Sequence, residues 1–244
     1  MYSGNFCFAD IPVQIDSLYP NVQALCRGYE TALAPRYRIE TTDGDIEYER
    51  QCSARTDLAE GREIRSTSDG YLETLAVYRK LADCLLNDGI VLFHGSAIAV
   101  DGVGYLFTAK SGTGKSTHTR LWRELFGERA VMVNDDKPLL KIAEDGVWVY
   151  GTPWNGKHRL STDCGVPLKA ICILTRDSTN HIERISAENA YPMVLQQSNR
   201  PGNTAGMVKT LTLADLLMKR VRFYRLGCNM EPDAAAVSYE GMQD

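Results

Sequence analysis

A mixed α/β fold, in the α+β sense of a mixed β-sheet with flanking helices, is what this sequence predicts, and three observations carry it. Two apolar runs, Ile90 to Val100 and Val103 to Thr108, are joined by Asp101-Gly102, a strong signal for a two-residue hairpin. The second run enters the glycine-rich stretch Ala109-Lys110-Ser111-Gly112-Thr113-Gly114-Lys115-Ser116, which opens a helical pattern from Thr117 to Phe126. Beyond it, apolar strand-like runs and helical stretches alternate to the end of the chain. The strand that feeds the glycine loop pairs antiparallel with its predecessor rather than through a parallel crossover. The sheet is therefore expected to be mixed.

The elements follow in order. Phe6-Cys7-Phe8 and Ile11-Pro12-Val13 read as short strands, and Arg36 to Thr41 with Asp45 to Glu49 read as a hairpin about Thr42-Asp43-Gly44. Residues 51–68 are polar and read as a linker or loop. From Gly70 to Asn87 the apolar positions recur at three- and four-residue steps. That predicts a helix begun by Asp69 and ended near Gly89, packing the N-terminal piece against the remainder of the chain. Ala130 to Val133 is a strand, and a second hairpin turns at Glu144-Asp145-Gly146. Leu168 to Leu174 and His181 to Ile185 are strands, and Ser186 caps a helix holding Pro192. A helix over Thr204 to Lys219, a strand over Val221 to Leu226 and a helix over Glu231 to Met242 complete the chain. The division expected is a β-rich N-terminal subdomain of unassigned role over 1–68 and a catalytic domain over 69–244.

Bulk properties exclude several functions. The 244 residues, 44% apolar and 24% charged, can bury a sizeable core. A net charge of −4 argues against a nucleic acid or an anionic membrane as partner. The seven cysteines are scattered, with no Cys-x-x-Cys pair, which reads as free thiols in a reducing cytoplasm and no zinc framework. Apolar runs are too short to span a bilayer, and no basic segment precedes an apolar one at the start. A cytoplasmic location is the expectation.

The chemistry concentrates around the glycine loop. A strand, a glycine turn and a helix opened by Gly-Lys-Ser form the context of a Walker A phosphate-binding loop. Gly112 and Gly114 let the backbone curl so that the amides from Ser111, Thr113 and on to Thr117 face phosphate oxygens. Lys115 would reach the β- and γ-phosphates of ATP, and the Ser116 hydroxyl would bind Mg²⁺. Pairing Val100 with Val103 sets His94 opposite Ala109, at the mouth of the loop. Asp135 and Asp136 end the Ala130–Val133 strand, where Mg²⁺ ligands belong, and adjacent acids on an extended chain point to opposite sides. Adjacent carboxylates also raise each other's pKa, which suits one to act as a base. The segment Gly151 to Arg159 comes after the second hairpin, and Lys157 or Arg159 could clamp a transferred phosphoryl group.

On Phe93-His94-Gly95, the hairpin into Thr108 to Ser116, and Val133-Asn134-Asp135-Asp136, residues 90–174 resemble the HPr kinase/phosphorylase and phosphoenolpyruvate carboxykinase group of P-loop proteins. The likeness is closer to the small HPr-kinase-like serine kinases than to the longer carboxykinases. The resemblance implies a mixed-sheet P-loop core of that type. It also implies that Asp135 is the catalytic base on an acceptor hydroxyl, that Asp136 and Ser116 ligate the metal, and that His94 sits against the catalytic centre. The function expected is an ATP- and Mg²⁺-dependent kinase acting on a hydroxyl, either a serine of a peptide or protein or a small-molecule alcohol. Alternatives are an ATP-binding sensor module without phosphotransfer, and carboxykinase-like chemistry. The donor (ATP, GTP or pyrophosphate), the acceptor and any homo-oligomer are left open.

Overall fold

The computed structural model describes residues 1–59 and 61–243; Glu60, in the expected linker, and Asp244, at the end of the expected catalytic domain, lie outside the described residues. The chain divides into two compact units, Met1–Leu85 and Leu86–Asp244. The predicted helix from Gly70 therefore belongs to the first unit, and the division falls after it rather than before it.

The first unit consists of β1 (Tyr2–Phe8), β2 (Ile11–Ser17), α1 (Asn21–Leu25), β3 (Tyr37–Glu40), α2 (Asp43–Ala59) and α3 (Asp69–Leu85). It is not predominantly β. The hairpin expected at Thr42-Asp43-Gly44 is replaced by a helix start. Thr42 Oγ1 accepts from the Asp45 amide at 3.3 Å, and Asp45 Oδ2 accepts from the Thr42 amide at 3.0 Å, a reciprocal capping box. Helix α2 then runs through the first half of the stretch expected to be a loop. Its inward contacts are largely polar: Glu49 bonds Arg79 at 2.6 Å, and the enclosed Asp57 pairs with Arg62 at 2.9 Å and Arg65 at 2.8 Å. On α3, the fully buried Glu73 accepts from the amides of Leu18 at 2.5 Å and Tyr19 at 2.9 Å and from Thr41 Oγ1 at 2.5 Å, tying the strand ends to the helix.

The second unit runs β4 (Ile90–Leu92), β5 (Ser96–Val100), β6 (Val103–Thr108), α4 (Lys115–Phe126), β7 (Ala130–Asn134), β8 (Leu139–Ala143), β9 (Gly146–Tyr150), β10 (Gly165–Arg176), β11 (His181–Ile185), α5 (Ala187–Gln197), α6 (Thr204–Arg220), β12 (Arg222–Cys228) and α7 (Asp233–Gly241). Its strands form one mixed sheet. The order β4-β8-β9-β10-β6-β5-β7 is extended by β12 on β10 and by β11 on β12, and only the β10–β6 and β10–β12 pairings are parallel. The Asp101-Gly102 hairpin has the expected register, Val100 opposite Val103 through Ser96 opposite Phe107. Both turn residues have positive φ, 51° and 79°, as a type I′ turn requires. The run from Ile90 to Val100 is not one strand. It breaks at Phe93-His94-Gly95, so that β4 joins β8 while β5 joins β6 and β7.

Strand alternation sends residues to two cores. Ala97, Ala99, Leu106, Ile171 and Ile173 pack with α5 and α6 residues such as Val194 and Leu217. Ile98, Val100, Tyr105, Phe107, Cys172 and Leu174 pack with Leu121, Trp122 and Ala235 from α4 and α7. A sheet covered on both faces explains why its strands read as continuous apolar runs. No helix among the described residues is long and apolar enough to cross a membrane.

His118 lies in the second core. Its Nε2 is 3.0 Å from Ser238 Oγ and accepts from Trp122 Nε1 at 3.2 Å, and its ring meets Phe107 edge-on at 4.5 Å. Its Nδ1 has no partner among the described residues, and burial pushes the imidazole down to about 3. An unfolded chain therefore takes up a proton below about pH 6.5 that the folded unit refuses until near pH 3. Stability is fully present above that window and falls by about 1.4 kcal/mol for each pH unit within it. Urea midpoints measured from pH 7 to pH 4 should decline more steeply for the native chain than for His118→Gln.

Candidate functional site

Strand β6 ends at Thr108, and α4 begins at Lys115 with Gly114 as its N-cap at φ 123°. Between them Gly112 has φ 75°, a Cβ added at either glycine would meet nothing within 4 Å, and the Thr113 amide folds back on the Lys110 carbonyl at 3.3 Å. The result is an open, curled loop. The first amides of α4 have no intrahelical acceptor and add the partial positive charge of a helix start. Lys115 Nζ folds over the loop to the Ala109 carbonyl at 3.4 Å. Burial lowers the Lys115 ammonium's pKa, and the charges of Asp136 and Asp135 oppose that shift. Ser111 and Gly112 are exposed, while Thr113 to Thr117 are half-buried at the helix mouth.

Asp135 is nearly enclosed, at 5% exposure, and accepts from Ser96 Oγ at 2.8 Å. The same Ser96 Oγ lies 3.0 Å from Thr119 Oγ1, and Thr119 hydrogen-bonds the carbonyls of Lys115 and Ser116 at 3.4 and 3.3 Å. A chain of hydroxyls thus links the carboxylate to the first turn of α4. Asp136 points elsewhere, with its Oδ1 3.2 Å from His94 Nε2. The two acids diverge, but in the bend that follows β7 rather than along an extended strand as the sequence suggested. Burial raises the Asp136 pKa, but the His94 hydrogen bond and the charges of Lys137, His94 and Lys115 override it. The carboxyl sits below the usual range. Mutual elevation of the pair, expected from the sequence, therefore does not hold at Asp136.

His94 reaches this position through three backbone anchors. The amides of Phe93, His94 and Gly95 bond the carbonyls of Pro138, Gln197 and Asp136 at 3.1, 2.8 and 3.0 Å. Regular pairing stops at Ser96–Phe107, and Thr108 Oγ1 then donates to the His94 carbonyl at 3.1 Å. Asn134 shapes the acidic turn: its Oδ1 accepts from the amides of Asp136 at 2.8 Å and Lys137 at 2.6 Å, and its Nδ2 donates to Thr152.

No protein-family model matches this chain. No curated protein matches it either. Among solved structures, the chain is similar to the Hpr(Ser) kinase/phosphatase from Coxiella burnetii at 12% identity, over 52% of this chain and 91% of that one, with a TM-score of 0.29. At that level nothing about the chemistry of this chain follows from the likeness.

The geometry brings His94, Asp135, Asp136 and Lys115 into one neighbourhood. Lys157 and Arg159 are exposed on a segment that passes beside Asp136: a Cβ added at Gly156 would stand 3.1 Å from Asp136 Cβ. Three contributors escaped sequence reading. Ser96 and Thr119 carry no motif, although the hairpin register marks Ser96 as a strand residue two positions from His94. Arg176, the last residue of β10, donates to the Gly112 carbonyl at 2.6 Å, and only the sheet order reveals that approach. Ser96→Ala should cost about 1–3 kcal/mol in a urea titration, because the buried Asp135 loses a donor. A change below about 0.5 kcal/mol would mean that the hydroxyl chain does not hold the carboxylate.

Proposed function

We propose that the second unit is an ATP- and Mg²⁺-dependent phosphotransferase acting on an acceptor hydroxyl. The observation that carries this reading is the hydroxyl chain from Asp135 through Ser96 and Thr119 to the first turn of α4, because it fixes a carboxylate against a curled glycine loop. Nucleotide sensing alone needs no such carboxylate.

The residues present fit the groups implied. The open curl at Gly112 and Gly114, with the free amides of the α4 start and Lys115, suits a polyphosphate. A carboxylate with a depressed pKa at Asp136 and a hydroxyl at Ser116 are hard oxygen donors of the kind Mg²⁺ takes alongside substrate phosphates. When bound, Mg²⁺ would neutralise charge developing on the transferred group. Within this reading Asp136 and Ser116 hold the metal, His94 fixes the orientation of Asp136, and Asp135 accepts the proton of the acceptor hydroxyl. The loop amides and Lys115 orient the phosphates, so the protein contributes mainly positioning and charge stabilisation. The segment bearing Lys157 and Arg159 adds positive charge beside the carboxylates.

The deciding experiment incubates the protein with ATP, Mg²⁺ and pooled serine peptides and small alcohols, and reads phosphoryl gain by mass spectrometry. Acceptor-dependent ADP release with a phosphorylated product is expected. ATP binding without any acceptor-dependent ADP release would instead establish a sensor module.

A further inference from the structure

Between Gly156 and Leu160 the chain makes a short excursion whose two ends are fixed to the aspartate pair. At one end Gly156, at φ 69°, packs against Asp136. At the other the Leu160 carbonyl accepts from the Asp135 amide at 3.0 Å. Asn155 Nδ2 donates to Ser161 Oγ at 2.7 Å across the neck, and Ser161 bridges to Asn134. The tip so held is Lys157-His158-Arg159. All three side chains are exposed, and none has a hydrogen-bond or ion-pair partner among the described residues. Arg159 adopts φ 53°, a left-handed conformation that a non-glycine residue takes at a local cost.

This placement is electrostatically unusual. The chain as a whole carries −4, yet residues 151–162 contain no acid. Asp136 meets His94 Nε2 at 3.2 Å, and neither Lys157 nor Arg159 forms an ion pair with it among the described residues. An acceptor that carried its own negative group would be repelled by Asp135 and Asp136 unless fixed positive charge stood beside them. The tip places that charge beside the aspartate pair, because its two ends are held at Asp136 and Asp135.

We propose that Lys157, His158 and Arg159 form a recognition site for a carboxylate on the acceptor, so that the substrate is a hydroxyl compound with an acidic group close to its hydroxyl. A free hydroxy acid and a serine flanked by acidic residues in a peptide both present this chemistry. The assignment rests on the phosphotransfer reading above. In that reaction the acceptor oxygen bonds to the γ-phosphorus of ATP as the bond from that phosphorus to the ADP oxygen breaks. ADP keeps the electron pair and the hydroxyl proton passes to Asp135.

Equilibrium binding without nucleotide tests the site separately from catalysis. One arm uses a fluorescent serine pentapeptide with glutamate on both sides of the serine and its glutamine counterpart, read by anisotropy. The other uses glycerate and its amide, read by ligand-observed NMR. At least tenfold tighter binding of the acidic member is expected in one arm, which identifies the source, and the difference should disappear in Lys157→Gln/Arg159→Gln. Circular dichroism checks that the double variant is folded. Equal binding of acidic and neutral members in both arms overturns the proposal, as does discrimination that survives in the double variant. Failure of the phosphotransfer reading would show differently, as acidic probes that bind in these arms yet give no ADP release once ATP and Mg²⁺ are added.

Discussion

Lys115→Ala should lower acceptor-dependent ADP release by about a thousandfold while leaving the fold intact. The ammonium is held half-buried over the glycine loop, with one backbone contact to Ala109 at 3.4 Å. Burial works against its charge, so removing it relieves a desolvation cost and should not lower the unfolding midpoint. The phosphates would lose a preorganised positive group where charge develops during transfer. Turnover and unfolding are therefore expected to part company. The measurement is a coupled ADP assay beside a urea titration; activity within tenfold of the native protein would remove Lys115 from the phosphate site.

Gly151→Ala is expected to destabilise the second unit by about 3 kcal/mol or more. A Cβ there would lie 1.9 Å from the Thr162 carbonyl oxygen and 2.7 Å from the Val133 carbonyl oxygen. Both are backbone atoms and cannot swing aside. The same backbone carries the Gly151 amide to the Cys164 carbonyl at 3.0 Å and the Thr162 amide to the Val133 carbonyl at 3.2 Å. Relief of the clash must therefore move the end of β7, one residue from Asn134 and the acidic turn. Chemical denaturation followed by tryptophan fluorescence is the measurement, and a loss under about 1 kcal/mol would show that the crossing is looser than described.

Much of the second unit was legible in the sequence, and the reasons are physical. Asp101-Gly102 admits few turns other than the one found, so the register from Val100–Val103 to Ser96–Phe107 followed from it, although the pairing stops short of His94. Strands buried on both faces announce themselves as apolar runs. The capping hydroxyl of Ser186 did so too, accepting from the Asn189 amide at 3.4 Å. The first unit resisted for the opposite reason. Helix α2 buries only Ile46, Glu49 and Asp57, so its stability comes from a capping box and ion pairs rather than from an apolar stripe. Hydrophobic periodicity cannot detect such a helix, and Thr42-Asp43-Gly44 reads equally as a turn. Around the glycine loop, the supporting contacts were not legible. Ser96, Thr119 and Arg176 act through hydroxyl and guanidinium contacts between elements distant in sequence, which depend on the fold and leave no trace in spacing.

The hydroxyl chain through Ser96 also bears on the order of assembly. The β5–β6 hairpin closes over two residues, and its loop-closure entropy is small. Pairing of β5 with β7 spans the whole of α4, and the bridge from Asn134 to Ser161 spans two further strands. The glycine loop can therefore take shape early, whereas Asp135 meets Ser96 only after the slower, longer-range closures. Formation of the Asp135–Ser96 contact would then lag behind the β5–β6 hairpin during refolding, and on the phosphotransfer reading ATP binding would report these longer-range closures rather than the hairpin.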